Sequence, residues 1–195
     1  AWEVIDAAST KPFGFMPFYP GPGVGGHCIP IDPFYLAYKA KEYGLPTRFI
    51  ELAGEYNNLA IEHIISKISF FLDQKIEKSI SNSKILLLGL AYKKNIDDMR
   101  ESPSVHILEK LLNLGGDVHY NDDFIKVFPK TREHLELAGM KSIELSKDNI
   151  SSFDACVLLT DHDYYNKKLI LENSKLVLDT RNFFKSKKEN SLVKI

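Results

Sequence analysis

The chain has 195 residues, of which 44% are hydrophobic and 26% charged, a composition typical of a soluble globular protein with one large or two small domains. Its formal net charge of −1 argues against a nucleic-acid-binding protein, and no apolar run approaches the length of a membrane span. Its two cysteines are too few for a disulfide framework and favour reduced thiols in the cytoplasm.

The chain begins with apolar residues at helical spacing, within residues 1–10, and lacks both an initiating Met and the basic segment of a signal peptide. This start is typical of the middle of a helix. We therefore expect the chain to be one part of a longer protein.

The next feature is the cysteine segment, residues 19–33, which holds four glycines and four prolines among its fifteen residues. Such a density of helix and strand breakers predicts irregular structure over residues 11–31. Glycines allow backbone N–H groups to approach a ligand closely. Because Cys28 ends the glycine run and Asp32 follows four residues later, the segment suggests a backbone cradle beside a nucleophile.

Several interpretations of this segment stay open. Residues 21–26 formally match G-x-G-x-x-G, but we reject a dinucleotide site because that motif follows a strand and opens a helix; a purely structural turn remains possible. Cys28 is either a nucleophile or an inert small hydrophobe. Asp32 is the N-cap of the next helix, a catalytic carboxylate, or both. His27 either orients or deprotonates the thiol or, as we expect, points elsewhere. Cys156 lies among apolar residues and belongs to the core.

Two helices should follow the cysteine segment. The first runs from Pro33 to a stop signal at residues 43–46. The second is long and amphipathic, covering about residues 48–80. We expect it to pack against a partner subunit, with packing inside its own chain as the alternative.

Beyond residue 83, short apolar runs alternate with helical patterns, which predicts an α/β fold with a doubly wound parallel sheet. Ser102 and Pro103 form an N-cap followed by proline, a strong helix start. The polar tail, residues 185–190, should be frayed. The expected strands are 84–90, 117–121, 141–145, 155–159 and 176–179, and the expected helices are 104–114, 132–138 and 164–171.

Polar clusters follow several of these strands, where open α/β sheets bind ligands. The lysine segment, residues 89–103, carries two lysines, an arginine and three carboxylates, and it suits a phosphate or is simply a solvated charged loop. The arginine segment, residues 179–182, offers a further phosphate-binding arginine. Residues 160–162 end another strand on the same edge.

Three stretches together resemble the UDP-glucose/GDP-mannose dehydrogenase family of nucleotide-sugar 6-dehydrogenases: Gly-Gly-His-Cys-Ile-Pro-Ile-Asp, Gly-Leu-Ala-Tyr-Lys-Lys-Asn-Ile-Asp-Asp-Met-Arg-Glu-Ser-Pro and Asp-Thr-Arg-Asn. Their order and separation match the C-terminal half of the family over nearly the whole chain. The resemblance implies a central helical region at residues 1–82 and a Rossmann-like UDP-sugar-binding domain at residues 83–195. It also implies oxidation of the sugar C6 alcohol to a carboxylate in two NAD-dependent steps.

The resemblance carries roles over to particular residues. Cys28 matches the nucleophile that forms a thiohemiacetal and then a thioester, and Asp32 matches the carboxylate that assists water or proton transfer. Arg100 would lie near NAD, no metal is expected, and the long helix would form a homodimer. The residues implied to contact the UDP-sugar are Tyr19, Gly21, Gly23, Gly25, Tyr92, Lys93 and Arg181.

Two departures from the family pattern matter. Ile31 stands where UDP-glucose enzymes usually carry lysine, and the Gly-Pro-Gly-Val-Gly-Gly-His-Cys run is more similar to the branch that acts on UDP-N-acetylglucosamine or UDP-N-acetylmannosamine. The N-terminal NAD-binding domain and the lysine and asparagine that the family places just before Ala1 are not in the sequence. We therefore expect this chain to be inactive alone and its parent enzyme to serve surface-polysaccharide synthesis.

Three alternatives remain. A UDP-glucose 6-dehydrogenase would share these motifs. A nucleotide-sugar-binding module without catalysis would use the same pocket and would not need Cys28. A cysteine hydrolase would need a histidine from elsewhere in the chain, and His106, His119 and His134 have no obvious route to the cysteine segment.

Overall fold

The computed structural model describes residues 1–185 and 190–195, in which a helical region precedes a five-stranded sheet. The first helix is short, and the third is the longest of the described chain at 29 residues. Within these ranges, no helix is both long and apolar enough to cross a membrane. The three helices before the sheet are α1 (Trp2–Ala8), α2 (Cys28–Glu42) and α3 (Arg48–Ile76).

All five strands of the sheet run parallel, in the order β2-β1-β3-β4-β5. The chain moves from β1 outward to β2 and then crosses to β3 on the other side of β1, which makes the gap between β1 and β3 the switch point where such sheets bind ligands. The predicted α/β fold is confirmed. The strands are β1 (Lys84–Leu88), β2 (Asp117–Asn121), β3 (Ala155–Leu158), β4 (Val177–Asp179) and β5 (Leu192–Lys194).

Helices cover both faces of the sheet. On one face, Ile68 and Leu72 of α3 join Leu108 of α4 in a fully buried cluster with the strand residues Ile85 and Leu87. The opposite face of β1 packs against α5 and α6 in a second cluster. Burial on both faces explains why the strands are continuous apolar runs. The helices after β1 are α4 (Pro103–Asn113), α5 (Lys147–Ser151) and α6 (Lys167–Asn173).

The largest departure from the sequence prediction is the start of α2, which begins at Cys28 rather than at Pro33. Proline is tolerated in a first helical turn because the amides there have no carbonyl partner inside the helix, and Pro30 lies in that turn. Asp32 is consequently the fifth residue of α2, so its assignment as an N-cap was wrong.

Smaller differences concern element ends. The long helix stops at Ile76 because Glu77 adopts a left-handed conformation, with φ of 59°. Residues 141–145 were expected to form a strand, but only Lys141 pairs, in an isolated bridge to Val127. The sequence analysis missed α5 and β5. The helix expected at 132–138 is only a single 3-10 turn in the structure, and α6 begins three residues later than expected. The fraying predicted for 185–190 falls largely outside the described residues.

Candidate active site

The cysteine segment places the candidate nucleophile at the beginning of a helix. Cys28 is the first residue of α2 and is exposed, and His27 occupies the N-cap position. Amides of a first helical turn point out of the helix without carbonyl partners and carry partial positive charge. Cys28 is therefore accessible and lies at the end of α2 that favours anions.

His27 and Asp32 both lie beside Cys28. Asp32 follows Cys28 by one helical turn, on the same side of α2. One imidazole nitrogen, the thiol sulfur and one carboxylate oxygen all lie within 4.8 Å of one another, and His27 Nδ1 is 3.8 Å from Asp32 Oδ1. The expectation that His27 points elsewhere was wrong, because its near-helical backbone angles turn its side chain onto the first turn of α2.

A buried carboxylate anchors the lysine segment to the sheet. Asp122, directly after β2, accepts hydrogen bonds from the backbone amides of Leu90 and Ala91 at 2.8 and 3.0 Å. His162 Nε2 lies 3.1 Å from the same carboxylate, and its Nδ1 accepts a hydrogen bond from the amide of Asn95 at 3.0 Å. Because Nδ1 is the acceptor, Nε2 carries the proton and donates it to Asp122.

Both members of this pair are fully buried, with 0% exposure. Burial by itself would raise the pKa of Asp122, but the hydrogen bonds from His162 and from the two backbone amides lower it overall. A buried carboxylate needs such donors to stay charged. Asp122 and His162 thus hold both ends of the Leu90–Asn95 stretch, which carries two of the predicted substrate contacts.

The glycines of the cysteine segment lie against the lysine segment. The amide of Gly26 donates a hydrogen bond to the carbonyl of Arg100 at 2.8 Å. A Cβ at Gly25 would lie 2.5 Å from Tyr92 Cβ and 2.8 Å from the Glu101 carbonyl oxygen. Glycine is therefore required for the two segments to pack together, and a contact of Gly25 with substrate stays a prediction.

Asn57 of α3 supports the middle of the cysteine segment. Its Oδ1 accepts a hydrogen bond from the amide of Val24 at 2.7 Å. Gly23 has a φ of +136°, and a Cβ there would lie 3.0 Å from Pro103. The shape of the segment is thus fixed by α3 and α4, and the predicted role of Gly23 in substrate binding stays untested.

Arg181 follows β4 and faces the cysteine segment. Its Nε donates to the carbonyl of Leu159 at 2.9 Å, and its backbone amide donates to Asp179 at 3.0 Å. A Cβ at Gly21 would lie 2.3 Å from Arg181 Nη1, so glycine leaves room for the guanidinium. Burial lowers the pKa of Arg181, while the negative charge of Asp161 acts in the opposite direction. The guanidinium nevertheless stays charged. It pairs with no carboxylate of residues 1–185 or 190–195, which suits it to an anionic ligand.

Tyr19 makes its contacts with α1. Its hydroxyl donates to Asp6 Oδ1 at 3.0 Å, and its ring stacks on Trp2 with 5.2 Å between ring centroids. The hydrogen bond to Asp6 is the main cause of the raised pKa of Tyr19. A contact between Tyr19 and substrate stays a prediction.

The basic side chains of the lysine segment are exposed. Arg100 pairs with Asp98 at 2.6 Å, and their hydrogen bonding raises the pKa of Arg100 and lowers that of Asp98. Lys94 pairs with Asp163 at 3.1 Å. Lys93 has no carboxylate partner in the described part of the chain, which leaves its charge free for a ligand.

One segment therefore joins the thiol to the sheet edge. It touches Arg181 at Gly21, packs on Tyr92 at Gly25 and then reaches Cys28 at the beginning of α2. Cys28 lies seven positions after Gly21, a separation that an extended chain spans in at most about 25 Å. The cysteine segment thus links a thiol with neighbouring polar side chains to a cation at the edge of the sheet.

A separate apolar groove of about 750 Å³ lies between the cysteine segment, α2, α3 and α4. Its walls include Phe34 and Phe49, and neither Cys28 nor Arg181 lines it. Gly21, Gly23 and Asn57 also line it, so the groove adjoins the polar groups described above without containing the thiol or the guanidinium.

Sequence reasoning missed the roles of His27, Asn57, Asp122 and His162. Asp122 directly follows β2 and His162 lies four residues after β3, at the edge where parallel sheets place ligand-binding and anchoring residues. That signal was available for both, but their pairing spans 40 positions of the chain and is visible only in the fold.

Two domain models of one protein family match the chain. Residues 1–59 match the central domain, and residues 86–186 the UDP binding domain, of the UDP-glucose/GDP-mannose dehydrogenase family. The second match covers more than half of the chain, which therefore belongs to this family.

Similar individual proteins come from bacteria and archaea. The chain is 32% identical to an NDP-N-acetyl-D-galactosaminuronic acid dehydrogenase of Ralstonia nicotianae over 96% of this chain and 41% of that one. It is 32% identical to a UDP-N-acetyl-D-mannosamine dehydrogenase of Methanocaldococcus jannaschii over 93% of this chain and 39% of that one. A solved UDP-D-ManNAc dehydrogenase of Pyrococcus horikoshii superposes with a TM-score of 0.78 at 27% identity, covering 100% of this chain and 43% of that one. The chain thus spans about two fifths of the length of these relatives.

Proposed function

We propose that this chain supplies the nucleophile and part of the substrate site of an NAD-dependent UDP-N-acetylhexosamine 6-dehydrogenase. The observation that carries the proposal is the cysteine segment, which contains an exposed thiol and lies at Gly21 against the guanidinium of Arg181, a cation without a carboxylate partner among residues 1–185 and 190–195. Relatives named for N-acetyl-D-mannosamine and for N-acetyl-D-galactosaminuronic acid favour an N-acetylated sugar. The product would be a nucleotide-linked uronic acid of the kind used in surface polysaccharides.

In this proposal the cations of the sheet edge bind the diphosphate. Arg181 presents a guanidinium that can donate two parallel hydrogen bonds to phosphate oxygens, and Lys93 adds a flexible ammonium. Both follow parallel strands, at the edge where ligands of such sheets bind. Diphosphate binding there orients the sugar along the cysteine segment toward Cys28.

Further along the cysteine segment, Cys28 acts on the sugar C6 carbon. Once that carbon is an aldehyde, the sulfur adds to it and the carbonyl oxygen takes a proton, giving a thiohemiacetal. After oxidation of this adduct to a thioester, water attacks the carbonyl and the sulfur leaves as a thiolate. Asp32 accepts a proton from the attacking water, and His27, 3.8 Å from Asp32, passes protons between that carboxylate and the thiol.

The described residues do not themselves form a dinucleotide site. Residues 21–26 lie between two helices, with no strand before them in the described chain, and the oxygens of Asp122 are occupied by backbone amides and His162. The two oxidations need a hydride acceptor, and NAD supplies that chemistry when bound. We assign its site to sequence beyond these residues, with Arg100 as the residue of this chain that reaches it.

We also propose that α3 forms a homodimer. Phe49 and Tyr56 on this helix are 90% and 66% exposed, beside the apolar groove. Exposed apolar surface of this extent is typical of a protein interface.

Protection of Cys28 from iodoacetamide tests whether the thiol adjoins the sugar. UDP-N-acetylglucosamine should slow alkylation of Cys28, and UDP alone should slow it less, because only the sugar extends toward the sulfur. Cys156 is buried and serves as the internal control for unfolding. In Arg181→Ala the protection should be lost at the same ligand concentration, whereas Lys168→Ala, which alters an exposed lysine of α6, should keep it.

The same experiment separates the alternatives. Ligand binding without protection of Cys28 would contradict the catalytic proposal and favour a binding module. Turnover of a simple nitrophenyl ester that requires Cys28 and His27 would instead favour a hydrolase.

A further inference from the structure

The beginning of α2 gathers three side chains with different donor atoms. An imidazole nitrogen of His27, the sulfur of Cys28 and a carboxylate oxygen of Asp32 all lie within 4.8 Å of one another. Cys28 and Asp32 are one helical turn apart, so the helix itself holds them on one face. His27 is brought to the same face by its near-helical backbone at the N-cap.

This donor set is matched to one class of cation. Nitrogen, sulfur and oxygen donors together suit zinc, whereas calcium and magnesium prefer oxygen alone. Zinc bonds of about 2.0–2.3 Å in a tetrahedral site put neighbouring donors about 3.5 Å apart. The side chains of His27 and Asp32 are 53% and 56% exposed, so they are free to rotate inward by the required distance.

We propose that the chain binds a zinc ion through His27, Cys28 and Asp32, with water in the fourth position. On binding, the S–H bond of Cys28 breaks, its proton passes to solvent, and a sulfur–zinc bond forms; no atom changes oxidation state. Arg100 is close enough to Cys28 for their charges to interact, and its pairing with Asp98 at 2.6 Å reduces its repulsion of the metal.

Zinc at this position blocks the nucleophile reversibly. The sulfur lone pair that would attack the sugar carbon is shared with the metal, and the bound thiolate is shielded from alkylation and oxidation. A chelator restores the free thiol. The inhibitory consequence rests on the proposed function, whereas metal binding itself rests only on the three side chains.

Cobalt(II) added to the 195-residue chain is a direct probe, because a thiolate bound to cobalt gives a ligand-to-metal charge-transfer band in the near ultraviolet. We expect this band in the wild-type chain and its displacement by zinc. His27→Ala and Asp32→Asn should each weaken cobalt binding at least tenfold, and Cys28→Ser should abolish the band. His63→Ala alters an exposed histidine of α3 and should leave the titration unchanged.

A second readout uses the reactivity of the thiol. Zinc should slow alkylation of Cys28 at least tenfold in the wild-type chain, with recovery after EDTA, and should have a much smaller effect in His27→Ala. No charge-transfer band in the wild-type chain, or a band of equal affinity in His27→Ala and Asp32→Asn, would overturn the proposal. Neither readout uses a UDP-sugar, so a negative result here leaves the dehydrogenase proposal standing.

Discussion

At the scale of single residues, the anchor formed by Asp122 and His162 explains how an exposed charged segment keeps a defined shape. His162 donates to a buried carboxylate through one ring nitrogen and accepts from the amide of Asn95 through the other. Both roles require the neutral imidazole. We regard His162 as a positioning residue for Tyr92 and Lys93 rather than as a residue that meets the ligand.

Replacing His162 should loosen the lysine segment. In His162→Ala, Asp122 and the amide of Asn95 lose a buried partner, and leaving such a group unpaired costs about 1–3 kcal/mol. Hydrogen exchange should accelerate at the amides of Ala91 and Asn95, and UDP should bind more weakly. His162→Gln should recover much of both properties, because its side-chain amide offers one donor and one acceptor.

His63→Ala, on the exposed face of α3, is the control for general effects of losing a histidine. Unchanged exchange at Asn95 in His162→Ala would show that the segment holds its shape without this anchor.

At the scale of elements, Asp154 ties the beginnings of two strands together. It accepts hydrogen bonds from the amide of Lys84, from Lys78 Nζ at 2.8 Å and from Lys175 Nζ at 3.1 Å. Burial would raise the pKa of Asp154, but these donors lower it to about 2. The pKa of Asp154 is therefore lower in the folded than in the unfolded chain. Its contribution to folding stability is present above about pH 4 and is lost as the pH falls toward 2.

The variant Asp154→Asn should remove this pH dependence. The difference between the folded and unfolded pKa values of Asp154 corresponds to about 2 kcal/mol of unfolding free energy at neutral pH. Urea unfolding at several pH values between neutrality and pH 3 should show a shallower loss of stability in the variant than in the wild-type chain. Asp73→Asn, at an exposed position of α3, should follow the wild type. Parallel curves for wild type and Asp154→Asn would contradict this account.

The same scale shows what sequence reasoning could predict. The parallel sheet was predictable from continuous apolar strands such as β1 and β3. The start of α4 was predictable from Ser102, whose side chain accepts a hydrogen bond from the amide of Ser104 at 3.3 Å. The start of α2 was missed because Pro30 and Pro33 are both expected to break a helix, whereas Pro30 lies in the first turn, which tolerates proline, and Pro33 lies inside the helix. Strand β5 is short, with 3 residues, and it is held by pairing with β4 rather than by its own pattern.

For the candidate site, residue types were predictable and contacts were not. Cys28, Gly21 and Arg181 were identified from motif and position, but their neighbours depend on distant parts of the chain. The packing of Gly25 on Tyr92 and the approach of His27 to Asp32 required the fold. Sequence patterns report burial and backbone geometry locally, and such long-range polar contacts leave little trace in them.

At the scale of the whole molecule, the exposed apolar side of α3 predicts self-association. Phe49, Leu52, Tyr56 and Leu59 are between 46% and 90% exposed. Burying such side chains stabilises an interface by about 25 cal/mol per Å² of apolar surface. Analytical ultracentrifugation should find a dimer of the 195-residue chain.

Changing this surface should disrupt the dimer. Phe49→Glu combined with Tyr56→Glu places charges in the apolar contact and should give a monomer at the same concentration. His63→Glu adds a charge to another exposed position of α3 and should remain dimeric. A monomeric wild-type chain, or a dimer unaffected by the double change, would contradict the assignment of α3 as the interface.

The central claim is that Arg181 and the cysteine segment form part of a UDP-sugar site. Calorimetric titration with UDP, UDP-N-acetylglucosamine and UDP-glucose tests it most directly. The account predicts binding of UDP ligands, a loss of about tenfold or more in affinity in Arg181→Ala, as expected for a hydrogen bond to a charged group, and no loss in Lys168→Ala. Equal affinities of wild type and Arg181→Ala, or no heat with any UDP ligand, would contradict it.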